Sequence, residues 1–440
     1  MKLTLLAISN PITGKNFDFN TQDVTMENVK SLVGKYASIC YSSKNFDEFI
    51  NEPSEESVKR ADNLLRDGHH SPFDQIYFTF YVDQATKITL MALNGGNFYA
   101  TEEGSDRYRP MKLSNNEQQD FDFLTELYKN KIKEITPNPC KYIEKTLNKK
   151  AIENARYCMP TDMQYKNMFY TVSLRELNYL YNWAKSFKLE NYDPICKYMV
   201  EDLKDFTTSL EKLGCVDTRL KDPFNRGFRF FKNKTTNPVE EFGYNYCMKY
   251  VCSIACGAQL ERHKFNECHF ALPKNTDDLE FYIPNFIVKD LRKKQEVESI
   301  YEKYRNRYPQ GSLGTMTETG NIDKILRVLY ERDCGMAQYE TNDVMQKNVT
   351  KYINGLEANN FNNTIVQETM NDRFLPFASS EGKTQITENI KNLEVKKIAN
   401  NEYIEILKHY QGKQYCEANG HCKNVKCGWA EGQSFATRPY

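Results

Sequence analysis

The sequence is short of several things that mark common protein classes. No apolar stretch approaches the roughly 20 residues of a membrane span, and the opening MKLTLLAIS turns polar after a few residues and is expected to be a first β-strand. Lysine plus arginine equals aspartate plus glutamate at 59 each, so no global basic field draws the chain to polymeric nucleic acid or to an anionic membrane. Any phosphate must then be held by a local site. Neither GxGxxG nor GxxxxGK[ST] occurs, which removes the main sequence support for a dinucleotide-binding or P-loop domain. The 13 cysteines include no CxxC pair and are odd in number, a pattern of reduced thiols in a cytoplasmic setting and not of a disulfide framework. The tail QYCEANGHCKNVKCGW offers Cys416, His421, Cys422 and Cys427, but their spacing fits no common zinc pattern and no metal is expected.

What is present is enough chain, 440 residues, for two or three domains with sizeable cores. The alternating IYFTFYV reads as a strand, and KITLMAL after it as a short buried strand or a helix start. FDFLTELYKNKIKEI and SLRELNYLYNWAKSF space their apolar residues as packed helices do. LKDPFNRGFRFFKNKTTNPVEE has no period and is rich in Pro, Gly, Asn and Lys, so a boundary falls there. The expected division is 1–219, 220–384 and a C-terminal appendage over 385–440. In the second part YCMKYVCSIACGAQLERHK is a buried element running into a polar site. NIDKILRVLYER is an amphipathic helix with Ile322, Ile325, Leu326 and Leu329 on one stripe.

The most specific passage is GHHSPFDQIYFTF, residues 68–80. It resembles the GHxSPFEHxxFTF segment of the flavin-dependent thymidylate synthases, with His69 and Ser71 on the positions that lie at the flavin in that family. Asp74 and Gln75 replace the usual Glu-His. ATEEGSDRYRP is similar to the second half of the family signature RHRxxSxNExSxRY, matched by Glu103, Gly104, Ser105, Arg107 and Tyr108 in the loop that holds the substrate phosphate. A hydroxyl, backbone amides and a guanidinium can grip a phosphate by charge-assisted hydrogen bonds of roughly 1.5–3 kcal/mol each.

The first half of the signature is missing where it is expected, because Gly95, Gly96 and Asn97 stand in place of Arg-His-Arg. It reappears in the second part as Gln259, Arg262, His263 and Lys264, whose three- and four-residue spacing puts Gln259, Arg262 and His263 on one face if the segment is helical. There the phosphate loop is absent, replaced by CHFALPKN. A third family stretch also occurs twice. The first copy keeps Arg175, and the second keeps Asn321 and Arg332, eleven residues and about three helical turns apart. Each copy has thus lost what the other retains, the pattern expected if one site is assembled from both.

The resemblance implies an α/β (α+β) fold of tandem copies, each a sheet with packed long helices. It implies reductive methylation of dUMP to dTMP, with FAD as cofactor and NADPH and methylenetetrahydrofolate as co-substrates, in a homo-oligomer such as a dimer. Arg332, Arg107 and His263 would be catalytic. FAD would be held by His69, Ser71, Arg262, His263, Lys264, Asn321 and Arg175, and the nucleotide by Gln259, Glu103, Gly104, Ser105, Arg107, Tyr108 and Arg332. Two other readings stay open: a pyrimidine-nucleotide C5 hydroxymethylating relative, and a degenerate non-catalytic homologue. Each motif also has an ordinary explanation, with His69 and His70 in a polar turn, ERHK on a solvated helix face and Asn321 as a helix cap.

Overall fold

The computed structural model describes residues 1–9, 25–40, 43, 45, 47–48, 51–96, 99–104, 112–163, 166–223, 227–234, 237–262, 267–421 and 425–435. By compactness the chain forms two units. One comprises 1–114, 160–233 and 306–308, and the other 115–159, 234–305 and 309–440.

The first unit is built on a four-stranded antiparallel sheet, ordered β1-β2-β4-β3, from β1 (Lys2–Ile8), β2 (Tyr77–Ala85), β3 (Tyr99–Glu103) and β4 (Lys166–Ser173). The alternation in β2 sets its faces: Phe78, Phe80 and Val82 are fully buried, while Thr79 on the other face bonds Thr171 across the ladder at 2.9 Å. Each large side chain so buried contributes roughly 1.5–3 kcal/mol. Helices α1 (Met26–Ser38) and α2 (Ser54–Arg66) pack on each other. KITLMAL is a helix, α3 (Lys87–Leu93), because Thr86 caps it by accepting from the Thr89 amide.

The second unit contains α4 (Asn115–Glu134) and α5 (Lys141–Ala155), while α6 (Leu174–Lys185) and α7 (Val200–Lys212) belong to the first. Its three-stranded antiparallel sheet has the order β5-β7-β6, from β5 (Asn245–Ser253), β6 (Glu267–Ala271) and β7 (Leu313–Asn321). Helix α8 (Ile254–Glu261) follows β5, and α9 (Asn285–Val288) and α10 (Leu291–Tyr304) lead to β7. After β7 come α11 (Ile322–Arg332), the 31-residue α12 (Tyr339–Thr369), α13 (Ser380–Tyr410) and α14 (Tyr415–Asn419). The buried stripe of α11 is Ile322, Ile325, Val328 and Leu329; Leu326 is only half-buried, so the stripe lies about one position from the expected one. Residues 413–415 are tied down, since Gln346 on α12 donates to the Lys413 carbonyl at 2.8 Å and the Tyr415 amide to the Asp333 carbonyl at 3.0 Å.

Both units carry the same sequence of elements, strand, helix, edge strand, central strand, helix. Tyr77 pairs with Ser173, which caps α6, and Asn245 pairs with Asn321, which caps α11. The interval from the first strand to the next helix cap is one residue longer in the first copy, Tyr77 to Thr86 against Asn245 to Ser253. A register shift between Val82 and Ala85 absorbs the extra residue as a bulge.

Candidate functional sites

In the first unit GHHSPF forms a turn that enters a short 3-10 helix, Ser71–Gln75, at the end of the sheet where β2 begins and β4 ends. His69 and Ser71 are exposed there. Behind them Asp74 forms an ion pair with Arg175 and accepts from the Ser173 hydroxyl at 2.8 Å. His70 Nδ1 lies 3.0 Å from the Tyr179 hydroxyl. Burial, and then the nearby Arg175 charge, lower the His70 pKa, which favours its neutral form. Asp74 therefore performs a structural task, fixing Arg175 to the turn.

The glycines that stand in place of Arg-His-Arg are at this same sheet end, on the α3–β3 connection. A Cβ on Gly96 would lie 2.6 Å from Glu176 Oε1, so the slot is closed by the first turn of α6. Glu103 and Gly104 are at the other end. Glu103 pairs in register with Met168, its carboxylate is 2.9 Å from Lys87 Nζ, and the Gly104 amide continues the ladder to the Asn167 carbonyl at 2.9 Å. Met168 and Ser173 are five positions apart on β4, roughly 17 Å along an extended strand. Ser105, Arg107 and Tyr108 lie outside the described residues.

In the second unit α8 ends at Glu261 and Arg262 is its C-cap, so the expected helical face beyond Gln259 is cut short; His263 and Lys264 lie outside the described residues. Gln259 Oε1 accepts from the Thr341 hydroxyl at 3.3 Å. The chain then enters β6, where Glu267 pairs with Thr319, two residues before Asn321. Gln259, Arg262 and Asn321 thus belong to one end of this sheet. Asn321 accepts from the Lys324 amide at 3.1 Å as the α11 cap, and Arg332 closes that helix in its last turn.

Two buried carboxylates were not singled out by motif. Asp202 on α7, 1 % exposed, accepts from the Thr86 amide (2.9 Å) and hydroxyl (3.0 Å) and from the Thr89 hydroxyl (2.6 Å). Glu340 on α12, 2 % exposed, accepts from the Ser253 amide (2.7 Å) and hydroxyl (2.5 Å) and from the Tyr157 hydroxyl (2.8 Å). Asp202 grips the cap of α3, which follows β2, and Glu340 grips the cap of α8, which follows β5. Acidic residues in helical segments carry no sequence mark of burial. Among the described residues no group of three or more His, Cys, Asp or Glu could hold a metal ion, and no helix is long and apolar enough to cross a membrane.

Residues 24–205 match the family model described as thymidylate synthase complementing protein. The flavin-dependent thymidylate synthase of Clostridium tetani (strain Massachusetts / E88) is 27 % identical over 168 residues, which cover 34 % of this chain and 67 % of that protein. Solved structures with partial likeness include a UMP/dUMP methylase, PolB, from Streptomyces cacaoi bound with 5-Br dUMP (16 % identity, 50 % of this chain and 92 % of that one, TM-score 0.29). Another is the flavin-dependent thymidylate synthase ThyX from Helicobacter pylori complexed with FAD and dUMP (14 % identity, 49 % and 100 %, TM-score 0.26). Superpositions at these scores bear no weight here. By these sequence matches residues 24–205 are similar to the flavin-dependent thymidylate synthase family.

Proposed function

We propose that the chain carries out flavin-dependent reductive methylation of dUMP to dTMP, drawing its site from motifs of two fused copies. The observation that carries this reading is the separation inside the first unit. Its phosphate-loop strand leaves the sheet at Glu103, one strand length from the exposed His69–Ser71 turn, and its own Arg-His-Arg slot is closed by Gly96 against Glu176. The second unit keeps Gln259, Arg262 and Asn321 at one sheet end. A copy that has kept one motif needs the other from elsewhere, from the second copy of the same chain or of a second chain in a homo-oligomer.

The exposed hydroxyl of Ser71, the His69 imidazole and the exposed Arg262 guanidinium suit a ligand bearing phosphates and ring heteroatoms, as FAD does. His69, Ser71, Arg175, Arg262, His263, Lys264 and Asn321 would hold it. Ser105, Arg107 and Tyr108 would grip the nucleotide phosphate, with Gln259, Glu103, Gly104 and Arg332 contributing to that ligand's contacts. Bound flavin, reduced by NADPH, supplies the hydride, and methylenetetrahydrofolate the carbon. The protein's own work is orientation and electrostatics, with Arg107, His263 and Arg332 placed as charge partners of the reacting nucleotide.

The test is visible absorbance of the purified chain with added FAD, followed by dUMP titration and assay for dTMP. Bound flavin whose spectrum shifts with dUMP, weakened nucleotide binding in Arg107→Ala and weakened flavin binding in Arg262→Ala are the expected results. A chain that takes up no flavin would be a non-catalytic homologue. A hydroxymethylated product in place of dTMP would move the reaction and leave the site.

A further inference from the structure

The first turn of α12 runs along α8, the helix whose far end carries Gln259 and Arg262. Glu340 takes the Ser253 amide and hydroxyl at the N-terminus of α8, and Thr341 takes the next contacts, its hydroxyl 3.5 Å from Cys256 Sγ and 3.3 Å from Gln259 Oε1. Ser253 in turn accepts from the Cys256 amide, so the acceptor that caps α8 is itself oriented by Glu340. Tyr157 supplies the third donor to the carboxylate, and its ring packs on Tyr282. The pair Asp202–Thr86 repeats this device in the first unit, where α3 leads to the closed slot at Gly96. Two copies that share the device while their motifs differ point to a role in placing the helix.

We infer that Glu340 is a positioning residue: it fixes α8, and with it the Gln259–Arg262 end, through the Ser253 cap. A charged carboxylate accepts all three donors at once. A neutral carboxyl keeps the same three contacts, because its protonated oxygen can donate to a hydroxyl that also accepts. The titratable groups facing Glu340 are Tyr157 from the turn after α5, Tyr282 from the segment before α9, Tyr301 from α10, Cys252 and Cys256 from β5 and α8, and Asp343 from its own helix. None of them is a cation, and among the described residues no cation pairs with Glu340. Burial, opposed by its three donors, raises its pKa to about 7.

The part of this inference that concerns flavin rests on the function proposed above. The experiment therefore has two readouts, FAD affinity and amide hydrogen exchange over residues 255–261, for the wild-type chain, Glu340→Gln and Tyr157→Phe compared at equal pH. At pH 5.5, where the neutral side chain is anchored most firmly, exchange over α8 should be about tenfold faster in Glu340→Gln than in the wild type, and the gap should shrink as pH rises through about 7. Flavin affinity should likewise be about tenfold lower in Glu340→Gln at pH 5.5, with a smaller gap at pH 8. Tyr157→Phe, which removes one donor, should move the wild-type midpoint upward. Equal α8 exchange in wild type and Glu340→Gln at pH 5.5 would overturn the inference, as would equal flavin affinity of the two wherever flavin binds. Absence of flavin binding in every form would sink the flavin reading alone, and exchange would still decide whether Glu340 positions α8.

Discussion

The two units use one plan for the same local problem and solve its electrostatics differently. In the first, the buried carboxylate is Asp202, and the Met1 ammonium stands 3.2 Å from its Oδ1. In the second it is Glu340, which has three hydroxyl or amide donors and no cation among the described residues. A buried charge without an opposite charge shifts its proton equilibrium instead of paying full desolvation. The difference teaches that one carboxylate device can hold a helix with a cation beside it in one unit and with neutral donors in the other. The anchor built on neutral donors belongs to the unit that carries Gln259 and Arg262.

The largest expected effect follows from breaking the charge-paired copy. Asp202→Ala leaves the Thr86 amide and the Thr86 and Thr89 hydroxyls without this buried acceptor, while the Met1 ammonium keeps Asp205 at 2.7 Å, and should destabilise the first unit by about 3–5 kcal/mol in chemical denaturation. A loss below that of an ordinary surface substitution would mean the anchor is dispensable. The second effect is a pH dependence of stability centred on Glu340. Its folded value, raised from 4.5 to about 7, means the stabilising contribution is present below the ordinary carboxylate range and is lost as pH rises through about 7. The change should be on the order of 3 kcal/mol between pH 4.5 and 8, and Glu340→Gln should flatten it. A wild-type profile flat over that window would remove the contrast between the copies.

A third substitution tests the closed slot. Gly96→Ala forces Glu176 aside and should cost about 1–3 kcal/mol, without restoring any flavin contact. A neutral outcome would show that the first slot is open to side chains. The smallest effects should be equal in the two copies. Ser173→Ala and Asn321→Ala each remove an N-cap acceptor and should each cost about 1 kcal/mol by thermal melting, and if Asn321 holds flavin as proposed, only its change should also weaken flavin binding. Equal effects of both on flavin affinity would assign Asn321 to capping alone.

Local pattern made much of this legible in advance. The alternation of YFTFYV gave its strand and the spacing of LRELNYLYNWAK its helix, because pleat and helical period act over a few residues. The motif strings, GHHSPF, ExSxRY and QxxRHK, likewise stand within short stretches, and they carried the family reading. KITLMAL was ambiguous because a uniformly apolar run has no period, and a cap at Thr86 held by Asp202, 116 residues away, made it helical. The α11 stripe moved to Val328 because neighbouring elements chose which side of the helix was covered.

The sequence by itself carried the resemblance to one family and the order of its motif strings along the chain, since these depend on residue type and order. Tertiary structure alone decided that Glu103 and the His69 turn stand at opposite ends of one sheet, that Gly96 is closed by Glu176, and that Asp202 and Glu340 anchor equivalent helices. Those are facts of register and of contacts across tens to more than a hundred residues, where no short-range periodicity reaches and only the joint packing of distant segments fixes which groups meet.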